Sequence, residues 1–255
     1  MKILTFNCFI TPLSPHVNFR ITRLVDYLLA SEFEIICLQE VSYTYVARKI
    51  SKKLSDNGYN VFYHSNGLLV AGGLLIASKF PMIDSEFYKY EEQGKLISFS
   101  FADVILGKGF LHVTLECNSG NLDIINTHLI SEFPMRNDLS CYNNLQLKEL
   151  SKYVSHISAG NLIICGDFNT QQSINASNVT RVINNNDTKT VEESNTNRKG
   201  FYSIKVNDRV DNIFYGTRIK EVYSDIVLDN PWQKGKKLVH LSDHYGIYMD
   251  FDIQD

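Results

Sequence analysis

The 255-residue sequence predicts a mixed α/β fold in which two β-sheets pack together with helices outside. Three observations carry this. Apolar runs of strand length recur along the chain; several are nearly continuous in Ile, Leu and Val, as strands covered on both faces are; and segments with apolar residues at helical spacing lie between some of the runs.

Taken in order, "KILTF" is the first strand. "RITRLVDYLLAS" follows, with Ile21, Leu24, Val25, Leu28 and Leu29 on one helical face. "EIICL" is a second buried strand, and "VSYTYVARKISKKLSDNG" a second helix closing on Gly58 as a C-cap. The span from about 60 to 128 reads as mostly strand, with "LLIAS", "GFLHVTL" and "LDIIN" and a hairpin signal in "ECNSGNL". "NNLQLKELSKYVSHI" is a third helix. "NLIIC", "VDNIFY" and "YGIYMDF" are the last strands; in the final one Tyr245, Ile247, Met249 and Phe251 alternate with more polar positions.

Residues 171–199 are rich in Asn, Ser and Thr. Strand patterns continue unchanged on either side, so this stretch is expected to be a polar insertion within a single domain spanning 1–255. The net charge of −3 supplies no global field for polyanions, which counts against a bulk nucleic-acid binder. Cys8, Cys37, Cys117, Cys141 and Cys165 are odd in number, widely spaced and free of any C-x-x-C pair; they read as reduced thiols. The longest apolar stretch, "GLLVAGGLLIA", is too short to span a bilayer, and the N-terminal "MKILTF" is a strand rather than a signal segment. We therefore expect a cytoplasmic monomer; export without a cleaved signal would leave the same sequence.

Polar residues fall where the apolar runs stop. Asn7 follows "KILTF", Glu40 follows "IICLQ", His128 follows "LDIINT", and Asp167 and Asn169 follow "LIICG". Strand ends of such sheets collect ligands, because rigid strands hold converging side chains there. An extended chain would point Asp167 and Asn169 the same way, with Phe168 turned to the core. Asp211 in "RVDNIF" and the Asp243–His244 pair in "LSDHYG" extend the series. Each has a bland alternative: an Asp-x-Asn turn, a buried structural histidine, or an acid at a helix N-terminus. Their recurrence in order is what points to a site.

The ordered set "TFN", "LQE", "NTHL", "GDFN", "VDNIF" and "SDHYG" resembles the endonuclease/exonuclease/phosphatase superfamily, from Asn7 to about Tyr248. The resemblance implies a four-layer sandwich of two mixed sheets flanked by helices, and Mg²⁺-dependent hydrolysis of a phosphoester, with Mn²⁺ as a substitute. It implies Glu40 as the metal carboxylate with Asn7 and Asp243 close by, and His244 as general base oriented by Asp211. It also implies that Asp167 positions the attacking water and that Asn169 and His128 donate to phosphate oxygens. One departure stands out: many relatives carry an Arg three residues before Gln146, where this chain has Asn143, and Arg136 upstream is the candidate substitute.

The superfamily leaves the substrate open. "GGLLIASKFPM" followed by "GKGFLHVTL" is similar to the sphingomyelinase branch, so a phospholipid phosphodiesterase is the first expectation. The alternatives are a nuclease or an inositol-phosphate phosphatase; the least favoured is a non-catalytic binding module, since every ligand and base position is filled. The substrate is then a lipid headgroup or a nucleic acid. Trp232, Lys234, Lys236 and Lys237 in "PWQKGKK", with the aromatic-rich stretch at 87–101, are candidates for peripheral membrane contact.

Overall fold

Strict alternation along the buried strands builds the architecture. In the first strand, β1 (Lys2–Ile10), Ile3 faces one core while Leu4 and Phe6 face another; in β2 (Ile35–Tyr43), Ile35 and Cys37 part from Ile36 and Leu38 in the same way. A strand with an apolar core on each face needs cover on both sides. That is why these runs are continuous rather than alternating in hydrophobicity.

The computed structural model describes residues 1–11, 14–65, 70–93, 107–131, 139–157, 160–176, 179–181, 189–192, 194–197 and 209–254. After β2 come β3 (Asn60–Ser65), β4 (Val70–Ser78), β5 (Met82–Lys89), β6 (Gly109–Cys117) and β7 (Gly120–His128). Then follow β8 (Leu162–Asp167), β9 (Val179–Arg181), β10 (Asp211–Gly216), β11 (Ile219–Val227), β12 (Trp232–Lys234), β13 (Lys237–Val239) and β14 (Gly246–Ile253). The helices among the described residues are α1 (Val17–Ala30), α2 (Thr44–Ser55) and α3 (Leu139–Ser155). One six-stranded sheet has the order β11-β14-β1-β2-β4-β3 and the other β5-β6-β7-β8-β10-β9. Both are mixed: β1 runs parallel to β2 and β7 to β8, with antiparallel pairs around them.

Three apolar clusters separate four layers. Ile21, Leu24, Leu28 of α1 and Val46, Ile50, Leu54 of α2 pack on the outer face of the first sheet. Ile3, Ile35, Ile76, Val113, Ile124, Ile163 and Met249 fill the space between the sheets. Leu147, Leu150 and Val154 of α3 cover the second sheet against Ile125, Ile164 and Phe214. This is the four-layer sandwich expected from the sequence.

The middle layer turns polar toward one end. The Gln39 amide donates to Thr5 Oγ1 (3.0 Å) and to Asn126 Oδ1 (2.7 Å), and Asn126 donates across to the Leu38 and Leu75 carbonyls. All three side chains are fully buried, so this network ties the sheets together by bonds that only one relative placement satisfies.

The structure moves several expected positions. Asn7 and Glu40 do not end their strands: β1 continues to Ile10 and β2 to Tyr43, with irregular register after Asn7 and around Glu40. α2 begins only at Thr44 because β2 uses the preceding residues, so Glu40 is no helix N-terminal acid. The described residues of the insertion include β9 and the buried Thr190, Val191, Asn195 and Asn197. Arg136 and most of 87–101 lie outside the described residues.

Candidate active site

The polar end of the inter-sheet layer gathers side chains from both sheets. Asp167 continues the inward face of Ile163 and Cys165, His128 that of Leu122 and Ile124, and Asp211 that of Ile213. Pairing enforces the match: β10 runs antiparallel to β8 with Asp211 opposite Asp167, and β7 parallel to β8 with His128 opposite Asp167. The first residue of one strand and the last of two others thus fall at one level.

Glu40 reaches the same place by breaking the alternation. Gln39 already points between the sheets, so Glu40 in regular strand geometry would face α2. Instead Glu40 adopts a left-handed backbone (φ 55) within the irregular register against β4. Such strain on a non-glycine residue costs on the order of 1–3 kcal/mol and persists where surrounding contacts hold it. Gly73 (φ 80) of β4, paired with Val41, passes beside the Glu40 backbone. Gly166 (φ 141) is more tightly fixed: a Cβ there would lie 1.9 Å from the Thr127 carbonyl oxygen.

The distances define one continuous cluster. Asn7 Nδ2 donates to Glu40 Oε1 (3.1 Å) and to Asp167 Oδ2 (2.9 Å), while Asn7 Oδ1 accepts from the Phe9 amide (3.0 Å). His128 Nε2 lies 3.4 Å from Asp167 Oδ2 and 3.9 Å from Glu40 Oε1. His244 Nδ1 meets Asp211 Oδ2 at 2.8 Å, and His244 Nε2 lies 3.8 Å from Asp167 Oδ2. Asp243 is buried next to His244 and accepts from Ser242 Oγ (3.4 Å).

Asn169 is arranged differently from expectation. β8 ends at Asp167, whose Oδ1 accepts from the Asn169 amide (2.9 Å), and Asn169 turns left-handed (φ 51). Its side-chain amide then donates to the Leu129 carbonyl (3.0 Å). The Asp-x-Asn turn and the site coexist here: Phe168 enters the core, and Asn169 fastens the ends of β7 and β8. Asn143, where the resemblance led to the expectation of Arg, does similar work by donating to the Ile130 and Phe168 carbonyls.

The electrostatics are those of an anionic pocket. Burial, then the Asp243 carboxylate, push Glu40 up to about 7. Burial, with Asp211 adding to it, pushes Asp167 up to about 6 against the pull of His244. Burial alone would lower His244, but the carboxylates of Asp211, Asp167 and Asp243 together lift it well above the usual imidazole value. Burial and the nearby cations Lys108 and His244 drive His128 well below that value, so it is neutral.

Two cations missed in the sequence belong to this picture. Lys108, 5% exposed, donates to the Leu129 carbonyl (3.3 Å) and lines a cleft with Glu40, His128, Ser42, Gly72 and Gly73. Arg20 of α1, 1% exposed, donates to the Cys8 and Phe9 carbonyls behind the site. Lys108 lies in "GKGFLHVTL", which in the sequence carries only the likeness to the sphingomyelinase branch, and Arg20 lies in the first helix; neither stands out there as a site residue.

Glu40, His128 and Asp167 offer ligand atoms all within 4.8 Å of one another, and so do Asp167, Asp211 and His244. Two carboxylates that burial makes costly to ionise, beside a neutral imidazole, form a donor set that a hard divalent cation suits. Asp243 stands outside these groups, acting on Glu40 through its charge; Asn7 presents its amide nitrogen to the carboxylates.

Comparison with known proteins agrees with this geometry. Residues 4–244 match the model of the endonuclease/exonuclease/phosphatase family. The chain belongs to that family. It is 31% identical over 177 residues to the inositol phosphosphingolipids phospholipase C of Schizosaccharomyces pombe, a match covering 67% of this chain and 41% of that protein. It is 28% identical over 173 residues to human sphingomyelin phosphodiesterase 2, covering 66% and 41%. The matched region thus spans less than half of either relative. Among solved structures, sphingomyelinase C from Streptomyces griseocarneus superposes with a TM-score of 0.74 at 16% identity, over 98% of both chains. D. rerio TDP2 complexed with single strand DNA product superposes at 0.76 and 16% identity, over 99% of this chain and 98% of that one. These two share the fold.

Proposed function

We propose that this chain is a Mg²⁺-dependent phosphodiesterase that cleaves the headgroup phosphoester of a sphingolipid, with His244 as the general base. The observation that carries the reaction class is the Asp211–His244 pair at 2.8 Å, its free Nε2 directed at Asp167 and the Glu40–His128 cluster. The names of the relatives favour the sphingolipid.

Asp211 accepts a hydrogen bond from Nδ1–H, which fixes the tautomer; positive charge bound beside Asp167 and Asp243 would offset the carboxylates that lift His244, leaving Nε2 deprotonated to take a proton from water. That water attacks phosphorus, a P–O bond forms, the P–O bond to the lipid alcohol breaks, and the departing oxygen takes up a proton from solvent, which in turn regains the proton held by His244. Asp167, 3.8 Å from Nε2, stabilises the imidazolium that results and offers an acceptor to orient the water. Lys108, on the cleft wall with Glu40 and His128, supplies a fixed positive charge for the phosphoryl oxygens. Glu40 and Asp167, with His128, Asn7 and Asp243 nearby, would hold a divalent cation, which would supply Lewis-acid stabilisation of the charge that develops on oxygen.

A substrate panel tests the reading. Vesicles containing sphingomyelin or an inositol phosphosphingolipid should be hydrolysed with Mg²⁺ and not with excess chelator. Single- and double-stranded DNA, RNA and phosphoinositides should be cleaved at least ~10-fold more slowly, the low end of what a missing recognition contact costs. Preferential cleavage of DNA or RNA would overturn the lipid assignment while keeping the reaction class.

A further inference from the structure

Asp211 opens β10 in one sheet, whereas His244 stands just before β14 in the other. Their 2.8 Å contact therefore spans two sheets that no ladder joins. One residue of the polar insertion touches both sides. Thr190 is fully buried; its Oγ1 accepts from the amides of Val210 (3.1 Å) and Asp211 (3.2 Å), and its carbonyl accepts from the amide of Tyr245 (2.8 Å).

The neighbouring segment continues the grip. Asn195 Nδ2 and Asn197 Nδ2 both donate to the Ser242 carbonyl (2.9 and 3.0 Å), and Asn197 Nδ2 also donates to the His240 carbonyl (2.8 Å). The Asn195 side chain accepts from the Asn197 amide (3.0 Å), which sets the turn that presents both carboxamides. The Ser242 hydroxyl in turn accepts from the His244 amide (3.2 Å). Buried backbone between β13 and β14 needs partners, and Thr190, Asn195 and Asn197 provide them. Among the described residues Asp211 Oδ1 has no hydrogen-bond partner although it is buried, so none of their side chains holds the carboxylate at that oxygen. The backbone clasp at its own amide is what aims it.

We propose that Thr190, supported by Asn195 and Asn197, is the positioning residue that holds Asp211 and His244 in register across the two sheets. The proposal rests on His244 acting as the base. It gives the insertion a role: a strap that links the two halves of the catalytic pair without touching substrate.

The test compares Thr190→Val, which keeps the shape and removes the hydroxyl, with Thr190→Ser, which keeps the hydroxyl. Turnover on a soluble aryl phosphodiester is read with the low-field proton resonance of the His244 Nδ1–H···Asp211 bond, recorded without substrate. Thr190→Val should lower kcat about 10-fold or more with KM changed less than about 2-fold, the signature of a lost transition-state arrangement, and should weaken or abolish the resonance. Thr190→Ser should recover most of both. A Thr190→Val protein with the resonance and kcat of the parent overturns the proposal, as does an equal loss in both variants with the resonance intact. If Thr190→Val does not fold, Asn197→Ala decides: lowered kcat and a perturbed resonance at near-parental Tm support the strap, and unchanged values overturn it. Undiminished turnover in His244→Ala would remove the base assignment instead; the resonance would still report whether Thr190 aims the ring.

Discussion

At the scale of single residues, the site brings together buried groups whose charges conflict. Glu40 titrates near about 7 and His244 above its ordinary range, so between about pH 6.5 and 8 the metal-free folded chain holds protons that the unfolded chain has released. Stability must then fall as pH rises across this window, by up to about 1.4 kcal/mol per pH unit for each such group. His128, held low by burial, works in the opposite sense, but only below its ordinary value of 6.5. Thermal melts in chelator should therefore show Tm falling from pH 6.5 to 8. Glu40→Gln should flatten that slope while weakening Mg²⁺ binding at least ~10-fold, about the 1.4 kcal/mol that one lost charge contact carries. A Tm that rises with pH in the parent chain would contradict the charge arrangement.

The residue types were legible because the chemistry is local: Asn7, Glu40, His128, Asp167, Asp211, Asp243 and His244 each sit beside an apolar run in the sequence. What the sequence hides is how they point. Glu40 arrives through a left-handed residue, Asn169 through an Asx-type turn, and neither follows from period-2 alternation. Lys108 and Arg20 were invisible because a buried cation is recognised by what surrounds it, and those surroundings come from distant segments.

At the scale of elements, the strands buried on both faces were readable, since continuous Ile, Leu and Val admit few alternatives. The exposed edge strands were not. β5 and β11 carry mixed exposure, and β9, β12 and β13 are three residues each, too short for a periodic signal. The β12–β13 hairpin also divides roles that the sequence had merged. Trp232 packs against the core beneath α1, whereas Leu238 is 56% exposed. Lys234 contacts His16 and lies over the Phe19 ring. Leu238→Asp should thus cut activity on vesicles and spare a soluble phosphodiester, while Trp232→Ala should also lower Tm. Equal losses on both substrates for Leu238→Asp would place the hairpin outside membrane docking. At the end of β8, Gly166→Ala should destabilise by more than about 3 kcal/mol, as a forced backbone shift at a buried site does; denaturant melts measure it, and a near-parental midpoint would contradict the packing.

At the scale of the whole molecule, each sheet contributes half of the site. Asn7, Glu40, Asp243 and His244 belong to the first sheet and its loops, and His128, Asp167 and Asp211 to the second. The Thr5–Gln39–Asn126 network sets the relative placement of the sheets beneath the site. Gln39→Leu should therefore leave Asn126 short of a partner, lower Tm, and reduce kcat more than it changes KM. A lower Tm with parental kcat would show that the site tolerates sheet movement.

The most direct test of the central claim is single-turnover hydrolysis of a soluble aryl phosphodiester by the parent chain and by His244→Ala, each with Mg²⁺ and with excess chelator. The account predicts that chelator abolishes parental activity and that His244→Ala with Mg²⁺ loses at least ~10²-fold in rate, the scale of a positioned general base. Hydrolysis that survives chelator, or near-parental rates in His244→Ala across the pH range, would contradict it.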